Sequence, residues 1–168
     1  MRTLTLKHEI NCSAKQFWPV FFDKHFNETM FRKALGFPEY EIVEQTETDG
    51  AVHRIVRGRP KMNLPKPLMK LLGDRFGYTE EGSFDPKTEI WRFEMTPSTL
   101  AGKLRNEGTT RVEPIDDGKC RRVAEIIVEA KVFGLGGLLE STSETEFNKG
   151  WNYSAKFMNE WIERHPVE

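Results

Sequence analysis

The chain has 168 residues, of which 38% are apolar and 30% charged, and 25 basic against 26 acidic side chains leave a net charge of -1. That length suits one domain with one sizeable core, and the composition excludes a disordered chain. Balanced charge gives no overall basic field for nucleic acid, and no stretch approaches the roughly 18 apolar residues of a membrane span.

Residues 2–11 alternate, with Leu4, Leu6, His8 and Ile10 on one face, which predicts a half-buried strand rather than a signal peptide. Cys12 and Cys120 make neither a disulfide framework nor a zinc site, and are expected as free thiols in a reducing cytoplasm. Ser13-Ala-Lys-Gln16 is a capping box, opening an aromatic helix with Phe17, Trp18, Phe21 and Phe22. A second helix is expected from about Asn27 to Leu35, stopped by Gly36. Residues 40–48 and 51–59 predict a hairpin turned by Asp49-Gly50.

Pro60 to Gly73 breaks the pattern. Its three prolines, three lysines and apolar residues, among them Leu64, Leu68, Met69 and Leu72, predict a loop and then a short helix from about Pro65. Strands resume near 76–84 and 89–96, and the acidic pair Glu80-Glu81 is expected at a solvated strand end. Pro97 to Gly102 predicts an interruption or bulge. The next strand, 103–112, carries Asn106, Gly108 and Thr110 on its inward side. The last, 119–133, alternates Ala124, Ile126 and Val128 with charged residues. Arg122 shares the inward parity, but its place near the strand start predicts a position at a rim or in solvent. The Gly134-Leu-Gly-Gly137 corner opens a helix of roughly 25 residues bearing Leu139, Phe147, Trp151, Met158 and Trp161. Hairpin-length connections imply an antiparallel sheet, and only the last helix is long enough to cover it.

Local catalytic motifs are weak. His8, His25, His53 and His165 lack metal-ligand spacing, there is no G-x-S-x-G elbow, and the glycine corner lacks a dinucleotide fingerprint. No catalytic residue, metal or cofactor is assigned.

Three stretches carry a resemblance across nearly the whole chain: the first strand with Ser13-Ala14, the corner Gly134-Leu-Gly-Gly-Leu-Leu-Glu140, and Phe157-Met-Asn-Glu-Trp161. In them the sequence resembles the START-like superfamily, which includes pollen-allergen-like proteins, lipid-transfer domains and polyketide cyclases. It is most similar to an uncharacterised bacterial branch akin to sterol-binding START-like domains. The resemblance implies a single α+β helix-grip domain over 1–168, with a curved antiparallel sheet of about six to seven strands around the C-terminal helix and two short helices after the first strand.

It also implies a hollow, and inward side chains then become candidates. Trp91, Phe93, Met95, Phe147, Trp151 and Met158 are expected to line an apolar pocket, the alternative being an ordinary filled core. His8, Tyr78, Asn106 and Thr110 are the polar candidates, because an inward polar group in an apolar sheet needs a partner, be it protein, water or ligand. Leu64, Leu68, Met69 and Leu72 are candidates for a lid, with the 60–73 lysines suited to transient contact with an anionic membrane. The expected partner is a hydrophobic small molecule, lipid or sterol-like, and not nucleic acid. The alternatives are a cyclase or aromatase using His8 or Tyr78, and a filled-core interaction module. The oligomeric state is left open.

Overall fold

The computed structural model describes residues 1–166. After β1 (Arg2–Ile10) come α1 (Ala14–Phe21) and α2 (Lys24–Glu28), the latter running straight into a π-helical segment, Thr29–Ala34. Then follow β2 (Glu39–Thr48), β3 (Ala51–Arg59), α3 (Lys66–Leu72), β4 (Tyr78–Asp85), β5 (Ile90–Pro97), β6 (Leu104–Asp116), β7 (Lys119–Ala130) and α4 (Gly136–Arg164). All seven strands form one antiparallel sheet in the order β1-β7-β6-β5-β4-β3-β2. This is an α+β helix-grip fold, with α4 packed on β1 and β7.

Local chemistry sets the boundaries. Ser13 Oγ accepts from the Gln16 N–H at 3.3 Å, and Gln16 Oε1 accepts from the Ser13 N–H at 3.0 Å, so the capping box is complete. Asp49 and Gly50 both take positive φ, 54° and 83°, as a tight two-residue hairpin requires. The second helix starts three residues before the expected Asn27, because the Asp23 carboxylate accepts from the Phe26 N–H at 2.6 Å and caps Lys24 onward. The π-helical segment is then held down by Arg32, which donates to the Tyr40 carbonyl on β2, and by Phe31 stacked on Tyr40 at 4.2 Å.

Two expectations need correction, and a third resolves to one of its alternatives. β7 ends at Ala130 and not at Phe133, since the Ala130 N–H donates to Glu140 Oε1 at 2.9 Å in the first turns of α4; Phe133 is left fully exposed at the corner. Of the interruption or bulge expected at Pro97–Gly102, the interruption is present: this stretch connects β5 to β6, with Leu100 and Gly102 at positive φ. α4 is also longer than expected, at 29 residues.

The inner face of the sheet is shaped by aromatic rings seated on glycines. A Cβ on Gly82 would lie 2.0 Å from Trp91, one on Gly58 would lie 2.8 Å from Tyr78, and one on Gly108 would lie 2.9 Å from Phe93. Each ring therefore lies close against the sheet. Gly108 gives its room to the Glu125 carbonyl, 2.4 Å from such a Cβ, and to Phe93 rather than to a hollow. The main core joins Leu4, Leu6 and Ile10 of β1, Phe17 and Trp18 of α1, Ile126 and Val128 of β7, and Met158 and Ile162 of α4.

Candidate functional site

Between the sheet, the π-helical segment and α4 lies a cavity of about 530 Å³. That is within the range of roughly 300–1,000 Å³ common for small-molecule pockets. The sheet supplies Tyr78, Trp91, Phe93, Met95, Asn106 and Thr110, all among the sequence candidates. α4 supplies Phe147, Trp151 and Met158, likewise expected there. The π-helical segment adds Met30 and Phe31.

His8 is placed elsewhere. It does not line the cavity but stands behind Arg122, bonding Asn152 Oδ1 at 2.6 Å through Nε2 and Arg122 at 3.2 Å through Nδ1. Of the lid candidates, Leu64 and Leu72 line the cavity, alongside Pro60, Lys61 and Met62. Leu68 and Met69 do not: Leu68 is fully buried in a separate cluster with Leu72 and Leu139, where it anchors α3. α3 is thus fastened to the body, and the stretch before it borders the cavity.

Two polar groups reach the cavity from opposite parts of the sheet. The first is on β3 and β4. Arg54 is buried, with its guanidinium carbon 4.9–5.6 Å from the rings of Phe21, Phe22 and Trp91. Its Nη1 donates to the Phe21 carbonyl at 3.3 Å, and its Nη2 lies 3.9 Å from Glu80 Oε1. Glu80 overturns its expected place at a solvated strand end. It shares the inward parity of Tyr78 and Phe84, lines the cavity, and keeps only 21% of its side chain accessible, while Glu81 points out to His53. Burial raises the Glu80 carboxyl above the usual range, against the opposing pull of Arg54. Burial likewise raises the Tyr78 phenol, with the Glu80 charge adding to it.

The second group is on β7 and α4, and it corrects the expectation for Arg122. That side chain is neither at a rim nor in solvent but 4% exposed, with its guanidinium carbon 4.6 Å from the Trp151 ring centroid. Nη1 donates to Ser154 Oγ at 3.0 Å, and Nη2 donates to the Trp151 carbonyl at 2.9 Å and to His8 Nδ1. The β1–β7 register sets His8 directly opposite Arg122, and β1 also shields this stretch of β7 from solvent. Thr110, on the adjoining strand, is fully buried, and its Oγ1 has no partner.

Sequence reading missed Arg54, Glu80 and the burial of Arg122. The signal was present: Arg54 alternates in phase with the buried Val52 and Val56, and Glu80 with Tyr78. The acidic pair at Glu80 and the strand-start position of Arg122 argued for solvent there, and Arg54 had no assignment.

A family model described as "Protein of unknown function (DUF2505)" matches residues 5–162. The chain belongs to that family. No curated protein matches the sequence. Solved structures place this DUF2505 chain in the START/polyketide-cyclase fold. TTHA0849 from Thermus thermophilus aligns with a TM-score of 0.71 at 16% identity, covering 99% of this chain and 100% of that one. The Zhui aromatase/cyclase from Streptomyces sp. R1128 aligns at 0.68 and 16%, covering 97% and 94%. Norcoclaurine synthase from Thalictrum flavum, in complex with dopamine and hydroxybenzaldehyde, aligns at 0.65 and 15%, covering 99% and 89%. Identities this low carry the fold and leave the contents of the cavity to be argued from this chain's residues.

Proposed function

We propose that this protein binds and carries an apolar small molecule, of lipid or sterol-like character, inside the helix-grip cavity. The observation that supports this most is the cavity itself, about 530 Å³ walled largely by aromatic, methionine and leucine side chains. A filled core would leave no such space. Transfer of apolar surface out of water would drive uptake, at about 25 cal/mol per Å² before ordering costs. Entry would pass the 60–64 stretch, where Lys61 and Met62 border the cavity and the nearby lysines suit an anionic lipid surface. The setting would be the cytoplasm, which keeps Cys12 and Cys120 reduced.

The test is a fluorescence titration with the neutral apolar dye N-phenyl-1-naphthylamine. Saturable binding of one dye per chain, competed by long-chain lipids, is expected. A titration without saturation would end the proposal.

One observation favours a second reading, a cyclase-like enzyme. Glu80, with its raised carboxyl, and Tyr78 share the cavity wall, and an acid in an apolar pocket can move protons on a bound carbonyl compound. Turnover separates the two readings: a carrier returns its ligand unchanged, whereas an enzyme releases a new species and loses that activity in Glu80→Gln.

A further inference from the structure

The cavity's charges do not balance. Its lining includes three carboxylates, and each has a cation: Glu80 with Arg54 at 3.9 Å, Glu129 with Lys131 at 3.9 Å, and Glu146 with Lys149 at 3.4 Å. Two cations remain, Lys61 and Arg122. Lys61 is exposed and needs no partner. Arg122 is buried, and among the described residues no carboxylate pairs with it.

Its partners are all neutral: a hydroxyl, a carbonyl and an imidazole nitrogen. They engage Nη1 and Nη2, and the Nε–H meets no acceptor. A buried guanidinium without a carboxylate partner is costly, and burial lowers the Arg122 pKa to about 9 against the opposing pull of the neighbouring Cys120 thiol. Thr110 adds a second open position. Thr110 pairs with Ala124 and Val112 pairs with Arg122, so Thr110 and Arg122 are diagonal neighbours on the inward face of β6 and β7. Its Oγ1 also lacks a partner, and both residues line the cavity.

We infer that the occupant is an amphipathic acid, an apolar body bearing one carboxylate, and that the carboxylate pairs with Arg122 and accepts from Thr110 Oγ1. This rests on the reading of the cavity as a binding site and adds the chemical class of its ligand. The incoming carboxylate supplies the counter-charge that the protein withholds. His8 and Ser154 hold the guanidinium from behind and from α4, which fixes its plane before the ligand arrives.

The experiment uses displacement of N-phenyl-1-naphthylamine at pH 7.5 by dodecanoate, dodecanol and dodecylammonium, each below its micelle concentration. Dodecanoate is expected to compete roughly ten- to a hundredfold more tightly than dodecanol, the scale of one charge-assisted contact, with dodecylammonium weakest. Arg122→Lys keeps the acid ahead of the alcohol, and Arg122→Met brings the two together. If Arg122→Met does not fold, Thr110→Val serves: it weakens the acid and leaves the alcohol unchanged. Dye binding with the alcohol competing as well as the acid in the wild type overturns the acid and spares the cavity. Absence of dye binding overturns the cavity reading itself.

Discussion

His8 Nδ1 sits 3.2 Å from Arg122 Nη2, across the β1–β7 pair, and its other nitrogen sits 2.6 Å from Asn152 Oδ1. A guanidinium can only donate, so Nδ1 must accept and the ring proton must be on Nε2, donated to Asn152. The histidine is thereby held neutral. Burial is the main cause of its lowered pKa; the Asn152 bond pulls the other way, and the Arg122 charge lowers it further.

The neutral His8 has a consequence for acid stability. With its folded pKa below the ordinary 6.5, the unfolded chain takes up the proton first. Stability from this group is therefore present above that ordinary value and is lost as pH falls through the folded value. Urea denaturation of wild type and His8→Gln from pH 8 to pH 4 isolates the effect. The difference should be flat above pH 7 and shift in favour of the glutamine below 6.5. Parallel profiles would remove His8 from this role.

Glu80 has the opposite sign. Its folded pKa is above its unfolded one, so its contribution is fully present below the ordinary carboxylate range and is lost as pH rises through the folded value. Comparing wild type with Glu80→Gln, the stability difference should move in favour of the glutamine between pH 4 and pH 8. This holds whatever constant cost comes from removing the partner of Arg54. A difference moving in favour of the glutamate would mean that Arg54, and not burial, dominates this site.

The glycine seats give a packing test. Gly82→Ala places a methyl 2.0 Å from the Trp91 indole, which is fully buried and has little room to move. Overpacking of this kind costs about 1–3 kcal/mol, read by chemical denaturation. Gly137→Ala near the start of α4 is the control, since nothing lies within 4 Å of its Cβ, and it should stabilise by about 0.5–1 kcal/mol.

Met95 is half-buried on the cavity wall, so Met95→Trp adds bulk into empty space rather than into packed atoms. Dye affinity should fall by about tenfold or more, or at least about 1.4 kcal/mol, while the melting temperature holds. Unchanged affinity in a folded variant would place the dye elsewhere.

Much of this architecture was legible because it is written in periodicity. The alternation of Leu4, Leu6 and Ile10, the capping box at Ser13 and the Asp49-Gly50 turn each act within a few residues, and each is present as expected. Long-range partners were harder to read. Glu140 ends β7 early through a bond to Ala130, and no local pattern announces it. Sequence reading puts Glu80 at an acidic strand end and sets Arg122 by its place near the strand start in spite of its inward parity, while it gives Arg54 no place at all. A buried charge defies the usual rule, which is why those three residues are the informative ones.

The most direct test of the binding cavity uses the six methionines as reporters. Met30, Met62, Met95 and Met158 line the cavity, whereas Met1 and Met69 do not. With 13C-methyl methionine, titration with N-phenyl-1-naphthylamine should shift the first four NMR signals along one saturable curve and leave the other two in place. Shifts confined to Met1 and Met69, or no saturable shift in the first four, would contradict a ligand-binding cavity in this protein.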